Sequence, residues 1–127
     1  MTASAYQPYE PARRPGGRPA AKPGYRVLVH RKFADLWTAL PERVGLTAAQ
    51  QFYDHVANTP GHPAAINRTG ILRGKAGEPM ASGFSRTIHY EITGAGRIDY
   101  QFNDAYRGIR GDPHPVVFIR AINLSSH

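Results

Sequence analysis

The chain has 127 residues, of which 41% are hydrophobic, and this length suits one domain with one core. It contains no cysteine, which excludes disulfides, thiolate metal sites and a cysteine nucleophile. Because 16 Lys+Arg outnumber 9 Asp+Glu, the net charge is +7, which favours an acidic partner such as nucleic acid, an acidic protein or an anionic surface.

Nothing in the sequence indicates a membrane or secreted protein. No apolar run approaches the roughly 20 residues that a membrane-spanning helix needs. The first residues contain no apolar core of the kind found in secretory signals. We therefore expect a soluble cytoplasmic protein with no membrane partner.

Residues 1–24 have the composition of a tail. They hold five of the 11 prolines, and four basic residues against one acidic residue. Since almost nothing apolar is available for burial, this composition predicts disorder or polyproline-like extension. Residues 25–127 retain 12 basic residues against 8 acidic ones, so the predicted domain is basic in its own right.

The domain is expected to begin with a strand and a helix. Alternation in YRVLVHR, Tyr25–Arg31, predicts a short first strand. Apolar residues then recur at helical spacing from Phe33 to Val44. Pro41 interrupts this run and is expected to end or kink the first helix.

A second helix is expected to follow at once. Thr47 and Gln50 have the spacing of a capping box, with Leu46 as the hydrophobic staple before it. An apolar face continues through the next turns, and the sequence NTPGHP, residues 58–63, should end the helix.

The second half of the chain has the pattern of β structure. Ile71–Arg73 is a possible short strand, and Ser85–Ile92 and Arg97–Phe102 alternate apolar and polar residues. Matching their apolar faces places Ile92 opposite Ile98 across a three-residue loop. After a long loop, Asn103–Pro115, the nearly continuous apolar run of residues 116–124 predicts a central strand.

The predicted order is β-α-α-β-β-β-β, which is typical of an α+β domain. We expect an antiparallel sheet of four to five strands with the N-terminal helix pair packed on one face. The other face should be open, and six polar residues should lie on it: Thr87, His89, Glu91, Arg97, Asp99 and Gln101.

Four short motifs in this order resemble the RelE/ParE superfamily of small bacterial toxins, and most closely its YoeB/Txe-like mRNA interferases. They are TPG at 59–61, GKAGEP at 74–79, SGFSRTI at 82–88 and RIDYQF at 97–102. The chain also ends in a histidine, His127, soon after its last predicted strand. The resemblance implies a RelE-like fold over residues 25–127 and a toxin that is neutralised by an acidic antitoxin protein.

The resemblance also implies a metal-independent endoribonuclease that cleaves mRNA on the ribosome and needs no cofactor. Such cleavage uses the 2′-hydroxyl as nucleophile, and it needs a base, an acid and cations that stabilise the phosphorane. The resemblance assigns Glu78 as the base, Arg97 as the phosphate clamp and His127 as the acid or a positioning group. Arg86 is a candidate second cation, and His89 on the open face is an alternative acid.

Three further residues are expected to contact RNA without a chemical role. Lys75 and Arg73 would supply phosphate attraction, which is a salt-sensitive contribution to affinity. Tyr106, in the predicted long loop, could stack on a base or be an ordinary loop residue. No metal site is predicted, because the histidines lack metal-ligand spacing.

Two other functions remain open at this stage. One is a RelE/ParE-fold protein that binds a partner without cleaving RNA, and the long loop and the absence of a tyrosine after His127 favour it. The other is a general basic nucleic-acid-binding module that uses the arginine-rich residues 1–24.

Overall fold

The computed structural model confirms the α+β class and the order β1-α1-α2-β2-β3-β4-β5. The helices are α1 (Ala34–Val44) and α2 (Leu46–Asn58). The strands are β1 (Arg26–Val29), β2 (Thr69–Ile71), β3 (Ile88–Glu91), β4 (Arg97–Tyr106) and β5 (His114–Asn123). The structure describes residues 3–6, 11–17, 22–62, 69–93, 96–107 and 113–124.

The five strands form one mixed sheet in the order β1-β5-β4-β3-β2. The prediction of a purely antiparallel sheet is therefore wrong at one edge, because β1 runs parallel to β5. The pairs β2–β3, β3–β4 and β4–β5 are all antiparallel, so β5 runs opposite to β2. The helix pair lies between β1 and β2 in the chain, and it brings the chain to β2 in the direction opposite to that of β1.

The predicted central strand is confirmed, since β5 lies between β1 and β4. β4 continues to Tyr106 and β5 begins at His114, so both ends of the predicted loop at 103–115 belong to the two strands. The β3–β4 pairing differs from the prediction by two residues: Tyr90, and not Ile92, is opposite Ile98. A shift of two keeps each side chain on its predicted face, because side chains alternate with a period of two.

The first helix does not end at Pro41. It continues to Val44, and the N–H of Gly45 donates to the Pro41 carbonyl at 2.9 Å to close the last turn. Trp37 and Leu40 bury the preceding turn in the core, which holds the helix in place despite the missing proline N–H.

The predicted capping box of the second helix does not form. α2 begins at Leu46 directly after Gly45, whose φ of 95° turns the chain with no side-chain cap. Gln50 Nε2 donates instead to the carbonyl of Pro15, at 2.9 Å, because the N-terminal segment lies against this helix.

Two apolar clusters cover the two faces of the sheet. The first lies between the sheet and the helix pair and includes Phe52, Tyr90 and Tyr100. The second lies on the opposite side, here called the second face, and its buried residues are Tyr6, Leu28, Phe84, Val116 and Phe118. The second face is therefore only partly open, which corrects the prediction of an open polar face.

Described parts of residues 1–24 pack on the domain, whereas their composition predicts a disordered tail. Tyr6 is only 4% exposed, and its ring lies 4.3 Å from that of Phe118, measured between centroids. The N–H of Ala12 donates to the carbonyl of Val27 on β1 at 2.7 Å. Within the described parts of the chain, no helix is long and apolar enough to cross a bilayer.

Candidate functional site

The segment that carries the GKAGEP motif folds onto the second face above β4. Gln101 is fully buried there, and its Nε2 donates to the carbonyl of Glu78 at 2.8 Å. The Oε1 of Gln101 accepts from the N–H of Met80 at 2.9 Å. Gly77 is needed at this approach, because an added Cβ would lie 2.6 Å from the carbonyl carbon of Leu72. These contacts fix the backbone of Glu78 over the face while its side chain stays exposed.

Arg86 has a structural role in this segment. Its Nε donates to the carbonyl of Leu72 at 3.1 Å, and its Nη2 donates to the carbonyl of Gly74 at 2.8 Å. The guanidinium thus closes the loop that precedes Glu78. Arg86 shares the sequence parity of Ile88, and it binds backbone carbonyls near the sheet edge. Its role as a second cation at a phosphate stays a prediction.

A row of titratable and charged side chains crosses the second face. Asp99 on β4 is paired with His89 on β3, and directly opposed residues have their side chains on the same face. On the other side of Asp99, β5 carries Arg120, which has the same parity as Val116 and Phe118 and therefore lies on this face. His30 follows β1 beside Arg120, since its N–H donates to the carbonyl of Ile119 at 3.0 Å. We call His30, Arg120, Asp99 and His89 the polar row.

Asp99 is the unusual member of the polar row. Its Oδ1 is buried and has no hydrogen-bond partner among the residues that the structure describes. Burial raises the pKa of this carboxyl group, and the nearby side chains of His89, Arg97 and Arg120 lower it only in part. A half-buried carboxylate with one unpartnered oxygen beside two arginines and a histidine is a group that can take up or share a proton.

His89 is held between two side chains of opposite charge. Its Nδ1 lies 3.3 Å from Nη1 of Arg97, and its Nε2 lies 3.4 Å from Oε2 of Glu91. Arg97 can only donate, so Nδ1 accepts and the proton of the neutral imidazole is assigned to Nε2. Strand pairing places Glu91 opposite Arg97, and this pair frames the ring.

His30 closes the other end of the polar row. Its Nδ1 accepts from the N–H of Lys32 at 3.1 Å, which places the proton of the neutral ring on Nε2. Burial lowers the pKa of His30, and the charges of Lys32, Arg120 and Arg31 lower it further. The ring of Tyr6 packs edge-on against His30 with centroids 5.3 Å apart.

Tyr6 covers the inner part of the second face. Burial raises the pKa of Tyr6 to about 12, and the positive charge of Arg120 opposes this increase. Its hydroxyl is buried and has no hydrogen-bond partner among the described residues. The N-terminal segment therefore lies at the edge of the polar row, with its phenol close to Arg120.

The residues predicted from the sequence divide into three groups. His89 and Arg97 are in contact, and the backbone of Glu78 is anchored on their face above Gln101. Lys75 and Arg73 are exposed in the loop that leads to Glu78, as phosphate-attracting residues must be. His127 lies outside the residues that the structure describes.

Tyr106 lies at the end of a strand and not in the predicted loop. It is the last residue of β4, and its ring packs against those of Phe84 and Phe118 with centroids 5.4 and 5.2 Å away. The strand is longer than predicted, so Tyr106 contributes to the second apolar cluster.

Sequence reasoning did not identify Arg120, His30 and Tyr6 as site residues, and it placed Asp99 on the face without a role. The parity of β4 was a sufficient signal for Asp99. Arg120 interrupts an apolar run, VVFIRAINL, and a lone charge in a central strand could have been recognised. Tyr6 had no signal, because its contacts depend on tertiary folding.

A resident metal has no evident ligand set here. Within the described residues, no group of three or more histidine or acidic side chains is placed to hold a metal ion.

No family model matches the chain, and no curated protein or solved structure matches it significantly. The function is accordingly inferred from the site alone and from the resemblance of the short motifs.

Proposed function

We propose that this protein is a metal-independent endoribonuclease whose active site lies around Asp99 and His89 of the polar row. One observation carries the proposal: the His89 ring is held between Arg97 and Glu91, beside Asp99, whose buried Oδ1 has no hydrogen-bond partner among the described residues. The exposed side chain of Glu78 projects from a segment that is bonded to the same face.

These groups supply what RNA cleavage requires. A base removes the proton of the 2′-hydroxyl, the 2′-oxygen attacks phosphorus, and the bond to the 5′-oxygen breaks as an acid protonates that oxygen. The products are a 2′,3′-cyclic phosphate and a free 5′-hydroxyl. We assign Glu78 as the base and His89 as the acid, in place of His127.

Arg97 is assigned to the phosphate. Its guanidinium donates to paired oxygens and offsets the charge that develops on the phosphorane. A phosphate bound by Arg97 would draw the guanidinium away from Nδ1 of His89 and free that nitrogen to take up a proton. Asp99 would stabilise the imidazolium that results, as a neighbouring carboxylate does.

We further propose that the protein is a toxin of the RelE/YoeB kind that acts on ribosome-bound mRNA. The motif resemblance supports this, and so does the net charge of +7, which suits both RNA and an acidic antitoxin. The order of helices and strands resembles that of these toxins. The helix pair covers only one face of the sheet, so part of the second face is accessible to a substrate.

A binding protein without nuclease activity is the second candidate. The observation that favours it is that Gly77, Arg86 and Gln101 all have folding roles, so the motif segment does not require catalysis to explain it. The tail-based nucleic-acid module is less well supported, because Arg14 donates from two nitrogens to the carboxylate of Asp54, each at 2.9 Å.

The deciding experiment is mRNA cleavage in a translating extract. We expect the parent to cleave, and Glu78→Gln and His89→Ala each to lose about 10²–10⁴-fold in rate, the usual contribution of one acid or base. The matched controls are Glu42→Gln and Arg43→Ala, exposed residues at the end of α1 on the helix side, which should cleave like the parent. A parent that leaves mRNA intact, or a His89→Ala variant with parental rate, would refute the proposal.

A further inference from the structure

The ring of Tyr6 fills a pocket on the second face of the sheet. It lies 4.3 Å from the ring of Phe118 at a tilt of 35°, and it meets His30 edge-on at 5.3 Å, both measured between centroids. The Tyr6 hydroxyl is buried with the ring and has no hydrogen-bond partner among the described residues. The pocket therefore accepts an aromatic ring, and Tyr6 leaves one polar atom in it unsatisfied.

Few contacts hold the segment that carries Tyr6 on the domain. Residues 3–6 form one short 3₁₀ turn, and Ala5 and Tyr6 are its members in the second apolar cluster. Within the described parts of the chain, no backbone hydrogen bond attaches these four residues to the sheet or to the helices. A segment held mainly by one buried ring can open at a lower free-energy cost than unfolding of the domain.

The register of the sheet places this pocket next to the groups assigned to RNA cleavage. Phe118 is paired with Gln101, whose side chain holds the backbone of Glu78. Arg120 follows Phe118 by two residues on the same face, and its charge acts on the carboxyl group of Asp99. A ligand that replaced the tyrosine ring on Phe118 would thus lie beside the cleavage site and on the same face.

Arg120 supplies a cation beside the pocket. It is partly exposed, and among the described residues it forms no ion pair with a carboxylate. The Nε2–H assigned to the neutral His30 ring is a second donor. An aromatic ring beside a guanidinium suits a nucleotide, because the base stacks on the ring and the phosphate pairs with the guanidinium.

We propose that the pocket under Tyr6 is a nucleotide subsite of the RNA site, and that Tyr6 occupies it when RNA is absent. RNA displaces the phenol ring, a base takes its place on Phe118, and the attached phosphate pairs with Arg120. Residues 3–6 thereby act as an internal competitor that lowers the apparent affinity for RNA. This proposal rests on the proposed function, since it takes RNA as the ligand and the site around His89 as its neighbour.

The first test compares the RNA affinity of the parent and of Tyr6→Ala in the full chain. Binding is measured by fluorescence anisotropy with a labelled single-stranded RNA whose 2′-hydroxyls carry methyl groups to prevent cleavage. We expect Tyr6→Ala to bind at least about tenfold more tightly, because removing a competitor raises the apparent affinity by the ratio of covered to open protein. Tyr6→Phe keeps the ring and should bind no more tightly than the parent.

A matched control separates this gain from a general loss of stability. Val56→Ala shortens a fully buried side chain of the helix-side cluster and leaves the second face intact. It should bind RNA within about twofold of the parent, because the substitution lies on the other side of the sheet. Equal affinity of the parent and a folded Tyr6→Ala variant would overturn the subsite.

Two further measurements decide the matter even if Tyr6→Ala does not fold. Arg120→Gln should lower the slope of log affinity against log salt by about 0.7, the value for one phosphate contact on a single strand. Arg43→Gln, which removes an exposed charge at the end of α1, should leave the slope unchanged. A parental slope in Arg120→Gln would overturn the pairing of Arg120 with phosphate.

The second measurement follows the displacement of Tyr6 in the unaltered protein. Chymotrypsin cleaves after accessible aromatic residues, and Tyr6 is buried in the free protein. Saturating RNA should therefore speed cleavage after Tyr6, whereas cleavage after Phe52, in the helix-side cluster, should stay at its rate without RNA. Undiminished protection of Tyr6 in the RNA complex would overturn the displacement.

Cleavage in the translating extract separates the subsite from the endonuclease. If Tyr6→Ala binds RNA more tightly than the parent and both leave mRNA intact, the subsite stands and the nuclease fails. If the parent cleaves mRNA while bound RNA leaves Tyr6 protected, the nuclease stands and the subsite fails. If neither the parent nor Tyr6→Ala binds RNA, the pocket is not an RNA subsite.

Discussion

Replacing Asp99 by asparagine should make the protein more stable at neutral pH and less active. The carboxylate has a buried oxygen with no partner in the described chain, and its pKa is raised because burial outweighs the neighbouring cations. The folded state therefore disfavours the ionised form. Asparagine keeps the shape of the side chain and removes the charge.

The expected gain is small and follows from two opposing contributions. A buried polar atom left without a hydrogen bond costs about 1–3 kcal/mol, and the lower end applies to a half-buried group. The attraction of a partly exposed charge to each neighbouring cation is worth roughly 0.2–1 kcal/mol, and it is lost in Asp99→Asn. With the lower-end cost of about 1 kcal/mol and three attractions of about 0.2 kcal/mol each, we expect a net increase of no more than about 0.4 kcal/mol in the free energy of unfolding at pH 7.

The pH dependence gives the sign of this effect an independent check. Because the folded pKa of Asp99 is raised above the unfolded value of about 3.9, both states are protonated at lower pH and the parent carries no penalty there. The penalty grows as pH rises through the folded pKa. The advantage of Asp99→Asn should thus be full at pH 7 and vanish below about pH 3.9.

Urea unfolding followed by circular dichroism at pH 7 and at pH 3.5 measures this difference. Asp35→Asn is a control that should lower the free energy of unfolding. Asp35 is exposed in the first turn of α1, where its charge interacts favourably with the helix dipole. It should lose about 0.3–1 kcal/mol at pH 7. An Asp99→Asn variant that is less stable than the parent at pH 7 would show that Asp99 is a structural ion-pair residue and refute the reasoning.

Three further changes test how the second face is built, each by urea unfolding. Tyr6→Ala should lose about 3 kcal/mol through the cavity it leaves on Phe118, whereas Tyr6→Phe, which only removes an unpartnered hydroxyl, should lose nothing. Parental stability of Tyr6→Ala would show that the N-terminal segment is not docked. Gly77→Ala should lose about 1–3 kcal/mol because its Cβ would overlap the Leu72 carbonyl. Arg86→Ala should lose a similar amount, roughly 1–3 kcal/mol, since two carbonyls lose a charged donor; no loss in either variant would contradict the loop geometry.

The order of elements could be predicted because it depends on local periodicity. Apolar residues recur at helical spacing before position 58 and alternate after position 85, and this alone indicates helices followed by strands. The direction of β1 could not be predicted. It depends on which strand the first one joins after the helix pair, which is a tertiary contact.

The face of each predicted site residue was also predictable, but its surroundings were not. Alternation correctly placed His89, Arg97 and Asp99 on the side away from the helices. It could not show that Tyr6 would cover part of that side, or that a bulge would place Ala121, and not Arg120, opposite Asp99. Bulges and docked segments are decided by contacts between distant parts of the chain.

The motif residues now separate into those that the fold requires and those that it does not. Gly77, Arg86 and Gln101 position a loop, and any protein with this loop would need them whatever its activity. No comparable folding role accounts for a histidine framed by opposite charges beside an orphaned carboxylate at Asp99. Because a buried oxygen without a partner costs stability, this arrangement supports the proposal that His89 has a chemical role.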